Sequence, residues 1–168
     1  MPDTLAIHFA PTKILVPIDF SVSSQAALNT ATGLAQHFHA EIYLLHAIPM
    51  IPITTGVEFP TTFYPAEEFL ETAIMQANNR LSEMASVLTS LGIEANFGVE
   101  VGNDIVAPVL MVEQREGTDL MVISTHGMSG WRPMIFGSTA EKILKLAQCP
   151  VLLLRSAKPG VDETETES

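Results

Sequence analysis

Residues 13–48 read KILVPIDFSVSSQAALNTATGLAQHFHAEIYLLHAI, and three patterns in this stretch decide the fold. The run KILVPI (13–18) is apolar, rich in β-branched residues and without a helical period, which is typical of a strand buried on both faces. Serines after Asp19 offer helix-capping hydroxyls, and apolar residues recur at helical spacing over 25–38. EIYLLHAI (41–48) is a second apolar run without a helical period and is likewise typical of a buried strand. The stretch therefore predicts a strand, a tight turn, a helix and a second strand.

The same alternation of strands and helices continues along the chain. An apolar stripe at i+3/i+4 spacing predicts a long second helix, which Gly92 ends. Gly98 interrupts the third predicted strand, and Pro108 lies past the first turn of the third predicted helix, where we expect a kink or a later start. These later elements are helices over 69–91, 104–116 and 137–147, the last capped by Ser138 or a neighbour, and strands over 93–100, 119–124 and 151–155.

This alternation predicts a single doubly wound α/β domain, with a five-stranded parallel sheet and helices on both faces. We divide the chain into an N-terminal extension (1–11), the α/β domain (12–156) and an acidic tail (157–168) that is too polar to fold. The segment 49–65 holds four prolines, which exclude a helix or a central strand. Loops of that length often act as lids or contact surfaces.

Composition excludes several classes of function. The 168 residues include 8 basic and 19 acidic side chains, for a formal net charge of −11, so we expect no nucleic-acid partner. Cys149 is the only cysteine, which excludes an internal disulfide, and no zinc-type ligand spacing is present. The N-terminus lacks the pattern of a signal peptide, and no apolar run approaches the ~20 residues that span a bilayer. We expect a cytoplasmic protein with no membrane insertion.

Pro17, Ile18 and Asp19 form the first candidate site, because ligands of open α/β sheets lie beyond the carboxyl ends of the strands. A carboxylate at that position can accept from a ribose hydroxyl or an adenine amine. It can also hold a phosphate-bound magnesium ion through water, whereas no metal site is expected from the protein alone. The alternative is an aspartate that only caps a helix or a turn.

The second candidate site is Ser124-Thr125-His126-Gly127, which nine residues separate from Gly137-Ser138-Thr139. Backbone N–H groups at a helix start form an anion site, and the two hydroxyls add donors. Glycine lets phosphate oxygens approach the main chain, and Gly137 could also adopt a positive φ. Many helices are capped in this way without binding a ligand, and His126 could equally stabilise its turn.

His46 and Ala47 end the second strand and form the third candidate site. An apolar residue there could bound an adenine pocket, whereas His46 is interpreted as a hydrogen-bonded core histidine and Cys149 as a structural thiol. We find no catalytic constellation of Ser, His and Asp and no pair of carboxylates. The Walker pattern and the G-x-G-x-x-G fingerprint are also absent.

Over residues 12–156 the sequence resembles the universal stress protein family. The resemblance rests on KILVPIDFSVSSQAAL, AEIYLLHAI, and above all DLMVISTHGMSGWRPMIFGSTAEKILKLAQCPVLLLR (119–155). It implies a Rossmann-like sheet, a homodimer formed along the last strand and a role in stress adaptation. Nucleotide-binding members carry G-x-x-G-x9-G-[ST]. Here Ser124 replaces the first glycine, and its side chain could crowd the ligand or donate a further hydrogen bond.

The resemblance also implies which residues would bind ATP, or another adenine nucleotide, with or without magnesium. Pro17, Ile18 and Asp19 would border adenine and ribose, with Ala47 lining the base pocket. Arg132 is the only cation of the nine-residue loop and would contact a phosphate or point into solvent. The stretch from Ile123 through Ser124 and His126 to Gly127 would follow the ribose and phosphates, which Gly137, Ser138 and Thr139 would cradle.

The function predicted first is that of a cytoplasmic, ATP-binding stress-response protein that acts as a dimeric sensor or regulator. Two alternatives stay open. One is an enzyme that slowly hydrolyses ATP or transfers a group from it. The other is a nucleotide-free member that binds an unidentified protein client, which Ser124 favours.

VLLLR (151–155) follows Pro150 as the last strand and is expected at an edge of the sheet. Four consecutive apolar residues on an unpaired edge would recruit other strands. A two-fold homodimer in which this strand pairs with its own copy would cover that edge. The sequence therefore predicts a homodimer through the 151–155 strand.

Overall fold

The computed structural model describes residues 9–50, 66–125 and 137–155. Its strands and helices alternate along the chain, as the sequence predicts. In chain order they are β1 (Lys13–Pro17), α1 (Val22–Phe38), β2 (Glu41–Pro49), α2 (Ala66–Ser90), β3 (Ala95–Gly102), α3 (Val106–Glu116), β4 (Leu120–Ser124), α4 (Ser138–Leu146) and β5 (Val151–Leu154).

The five strands form one sheet in the order β3-β2-β1-β4-β5, and each neighbouring pair is parallel. The chain winds outward in one direction through β2 and β3, then crosses back and continues through β4 and β5. The predicted doubly wound α/β fold is confirmed. The switch point lies between β1 and β4, and β5 lies at an edge.

Each face of the sheet carries its own core, because side chains alternate between the faces of a strand. Ile14 and Val16 of β1 pack with α1 and α2, whereas Leu15 packs with α3 and α4. We call these the α1/α2 face and the α3/α4 face. The strands are buried on both faces, which explains their continuous apolar runs.

Gly98 and Pro108, the two residues expected to disturb their elements, are both accommodated. Gly98 does not break β3. A Cβ there would lie 2.6 Å from the Tyr43 hydroxyl oxygen, so a side chain at this position would displace that hydroxyl. Of the two outcomes expected at Pro108, the later start is the one observed. The helix begins at Val106, which places the proline in the first turn, where an N–H has no intrahelical acceptor.

Several predicted regions lie wholly or largely outside the described residues. They are most of the N-terminal extension, the proline-rich segment, the loop 126–136 and the acidic tail. Among the residues that the structure describes, no helix is long and apolar enough to cross a membrane.

Candidate functional site

A cavity of about 350 Å³ opens at the carboxyl ends of β1, β2 and β4 and is closed by the first turns of α3 and α4. This is the switch point at which doubly wound sheets bind ligands. Of the twelve residues that the sequence predicts for the site, His126, Gly127 and Arg132 lie outside the described residues. The other nine all line this one cavity: Pro17, Ile18, Asp19, Ala47, Ile123, Ser124, Gly137, Ser138 and Thr139.

Asp19 lies directly after β1 and takes part in the turn into α1. Its Oδ1 accepts hydrogen bonds from the Ser21 N–H (3.0 Å) and the Ser21 hydroxyl (2.6 Å). The Ser21 hydroxyl oxygen in turn accepts from the Ser24 N–H at 3.1 Å and caps α1. Asp19 is thus the turn aspartate considered as the alternative, and it lines the cavity as well. The two roles are compatible because a carboxylate can accept several hydrogen bonds.

His46 has the role predicted for it, that of a hydrogen-bonded core histidine. Its Nδ1 lies 2.7 Å from the carbonyl oxygen of Ile18, and because a carbonyl only accepts, Nδ1 carries the proton. Its neighbour Ala47 contributes the apolar wall of the cavity that the sequence predicts. Ile18 is also held from its nitrogen, which donates to the Leu45 carbonyl at 2.7 Å.

The start of α4 supplies hydrogen-bond donors to the cavity. The Gly137 N–H is already used, since it donates to the Thr125 carbonyl at 3.0 Å. The N-cap residue, Gly137, has no side chain to cap α4, and the N–H groups of Ser138, Thr139 and Ala140 lack an intrahelical acceptor and lie at the positive end of the helix dipole. These amides can donate to an anion.

The close packing of α4 on the end of β4 requires a glycine at position 137. The φ of Gly137 is −65°, a value that any residue adopts, so the positive φ that its sequence allowed is not observed. A Cβ at this position would instead lie 2.9 Å from the Thr125 carbonyl oxygen. Only a residue without a side chain lets α4 start this close to the end of β4.

Sequence reasoning missed six residues that line the cavity, whereas Thr125, which also lines it, belongs to the second candidate site. Leu45 could have been found, because it lies two residues before Ala47 and therefore on the same face of β2. The other five depend on how α1, α3 and α4 dock and had no signal in the sequence. They are Ser24, Ile105, Val109, Ala140 and Ile143.

The described lining combines apolar side chains with polar groups, and Asp19 is the only ionisable side chain among its described members. This arrangement suits a ligand with a flat apolar part and hydroxyl or anionic groups. Across the described part of the chain, no cluster of three or more His, Cys, Asp or Glu residues could hold a metal ion.

Cys149 does not line the cavity. Burial, helped by the neighbouring Glu113 carboxylate, raises the pKa of its thiol to about 12. Such a thiol stays protonated at neutral pH and is a poor nucleophile. This fits the structural thiol predicted from the sequence.

Comparison with known proteins places the chain in a family. The sequence profile of the universal stress protein family matches residues 11–155. Universal stress protein MJ0531 of Methanocaldococcus jannaschii is 27% identical over 151 residues, which cover 87% of this chain and 83% of that protein. Universal stress protein A homolog 2 of Coxiella burnetii is 30% identical, with 85% and 94% covered. The solved structure of the hypothetical protein MJ0577 matches with a TM-score of 0.75 at 24% identity, covering 88% and 97%.

Two further solved structures with this fold contain a nucleotide. One is a universal stress protein in complex with cAMP, with a TM-score of 0.56 at 19% identity, covering 87% of this chain and 98% of that one. The other is the universal stress protein from Archaeoglobus fulgidus in complex with dAMP, with a TM-score of 0.57 at 19% identity, covering 84% and 96%. The profile match spans most of the chain, and the chain therefore belongs to the universal stress protein family.

Proposed function

We propose that this chain binds an adenine nucleotide, with ATP as the first candidate, in the cavity between β1, β4 and α4, and that it acts as a cytoplasmic dimeric sensor or regulator. One observation carries the proposal: all nine of the predicted binding residues that the structure describes line this single cavity. Its volume of about 350 Å³ falls within the range of small-molecule sites.

The lining suits the parts of a nucleotide. Ile18 and Ala47 offer apolar contacts to the base, and the Asp19 carboxylate can accept from a ribose hydroxyl. The amides in the first turn of α4, with the Ser138 and Thr139 hydroxyls, can donate to phosphate oxygens. Magnesium would arrive with the phosphates and would contact Asp19 through water.

The solved complexes with cAMP and dAMP support an adenine nucleotide as the ligand class. Ser124, which replaces the first glycine of the nucleotide-binding motif, lines a cavity whose volume of about 350 Å³ is in the range of small-molecule sites. We therefore favour nucleotide binding over the nucleotide-free alternative, in which the protein would act through a client alone.

A titration of the full chain with ATP, AMP and cAMP, with and without magnesium, tests the proposal, and GTP is the matched control. We expect saturable binding of at least one adenine nucleotide and weaker binding of GTP. A parallel assay for ADP and phosphate distinguishes a sensor, which forms no product, from a slow hydrolase. No binding at millimolar nucleotide would contradict the proposal and favour the client-binding alternative.

The proposed dimer uses β5, which lies at the edge of the sheet. Leu153 faces the chain's own α3/α4 core and Leu154 its α1/α2 core, whereas Leu152 is 36% exposed. Antiparallel pairing of β5 with its copy would satisfy the unpaired N–H and C=O groups of this edge and cover Leu152. Leu152 is thus the side chain through which the interface can be tested.

A further inference from the structure

Phe20, the residue directly after Asp19, has an unusual backbone conformation. Its φ is 62°, in the left-handed region that bulky residues rarely adopt, so other contacts must hold it there. Among the described residues, the only other non-glycine residue with positive φ is His39, which forms the C-cap of α1. Phe20 instead lies inside the turn that the Asp19–Ser21 hydrogen bonds close.

The Phe20 ring is contacted on its flanks by two side chains from distant parts of the chain. The His46 ring, at the end of β2, has its centroid 4.6 Å away at an angle of 37°. The Arg80 guanidinium, on α2, lies over the ring with Cζ 3.8 Å from its centroid. We call Phe20, His46 and Arg80 the aromatic clamp.

The aromatic clamp lies beside the candidate site without lining it. Phe20 packs with the core of the α1/α2 face and borders a second cavity, of about 500 Å³, which also contains Arg80. Among the described residues, the two cavities share only Ile18 and Ser24. Within the aromatic clamp, His46 forms a hydrogen bond with the Ile18 carbonyl and packs against the Phe20 ring. It therefore contacts the residues on both sides of Asp19.

We propose that the aromatic clamp positions Asp19 for the nucleotide and makes the affinity of the site depend on the placement of α2. Phe20 and Arg80 are positioning residues in this arrangement, because neither lines the candidate cavity. Removal of the ring abolishes the contacts that tie the residue after Asp19 to His46 and Arg80, and displacement of α2 withdraws the guanidinium. This inference rests on the proposed nucleotide site.

Two variants test the clamp. Phe20→Gly removes the ring but adopts the left-handed backbone freely, so the turn itself stays accessible. Arg80→Met keeps a long apolar stem on an exposed position of α2 and removes the guanidinium. We expect the Kd for the adenine nucleotide to rise about two- to fivefold in Arg80→Met and on the order of tenfold in Phe20→Gly.

Arg80→Lys and Glu83→Gln are the controls. Arg80→Lys keeps the charge but loses the planar stack, so it should lower the affinity if stacking, and not net charge, matters. Glu83→Gln changes the charge beside the same second cavity and should leave the affinity unchanged.

Amide hydrogen exchange distinguishes positioning from a general loss of stability. In Phe20→Gly we expect faster exchange at Ser21 and Ser24, whose amides donate within the turn, and unchanged exchange in the core of β1. The proposed role of the aromatic clamp would be overturned if Phe20→Gly exchanged its Ser21 and Ser24 amides at the wild-type rate. It would also be overturned if the wild type bound the nucleotide and Phe20→Gly bound it equally tightly. A wild type that binds no adenine nucleotide would overturn the proposed function instead, and the exchange at Ser21 and Ser24 would then decide whether the clamp holds the turn.

Discussion

Substitution of Gly137 by alanine tests whether the close approach of α4 to β4 matters for the ligand. The added Cβ would lie 2.9 Å from the Thr125 carbonyl oxygen, against about 3.4 Å for an ordinary contact, so one of the two must move by about 0.5 Å. Thr125 resists this movement because its carbonyl accepts from Gly137 at 3.0 Å and its N–H donates to the Leu154 carbonyl at 2.8 Å. We expect the first turn of α4 to shift.

Such a shift would misplace the amides of Ser138 and Thr139, which the proposed function assigns to the phosphates. Loss of one charge-assisted hydrogen bond is worth about 1.5–3 kcal/mol, or roughly a 10- to 150-fold weaker nucleotide affinity. Loss of the bond between Gly137 and Thr125 would lower the free energy of unfolding by about 1 kcal/mol. Gly137→Val should have the larger effect of the two substitutions, since its branched side chain needs more room.

Isothermal titration and thermal unfolding measure these two effects, and Gly33→Ala is the matched control. A Cβ at Gly33, inside α1, would meet no atom within 4 Å, so that variant should bind normally and be about 1 kcal/mol more stable. If Gly137→Ala binds the nucleotide as tightly as the wild type and unfolds at the same temperature, the reasoning about α4 is refuted.

Three further predictions follow from named contacts. Asp19→Ala should weaken nucleotide binding less than Gly137→Val does, and Asp19→Asn, which keeps an acceptor for Ser21, should fall between wild type and Asp19→Ala in the same titration. Leu152→Asp should convert the proposed dimer to a monomer in light scattering, whereas Val87→Asp on α2, also exposed, should not; a wild type that is monomeric at micromolar concentration would contradict the dimer. Burial raises the pKa of Asp119, whereas hydrogen bonds from the Thr12 side chain and from the Thr12 and Lys13 backbones lower it. The hydrogen bonds have the larger combined effect, so the folded pKa of Asp119 lies below the ordinary value. Its stabilising contribution is therefore present above the ordinary pKa of about 3.9 and is lost as the pH falls through the lower folded pKa, so acid unfolding curves of wild type and Asp119→Asn should converge at low pH.

The elements and their order could be predicted from the sequence because the signals that define them are local. A run such as KILVPI has no helical period, and the apolar stripe of α2 repeats every three or four residues, so each pattern is complete within one element. The boundaries differ from the prediction by a few residues at most. Helix α1, for example, starts at Val22 because the Ser21 hydroxyl caps it, three residues before its apolar pattern begins.

Most of the nine described cavity residues were also predictable, since parallel strands bring their carboxyl ends to the same edge of the sheet and the next helix starts there, whereas Ile123 was named only through the family resemblance. What the sequence could not show is which distant groups meet them there. The contact between Gly137 and the Thr125 carbonyl, the walls formed by Ile105 and Val109, and the stacking of Arg80 on Phe20 all join residues from separate elements. Such contacts depend on how the helices dock on the sheet. Docking is determined by the close packing of many side chains from several elements at once, so no short stretch of sequence predicts it.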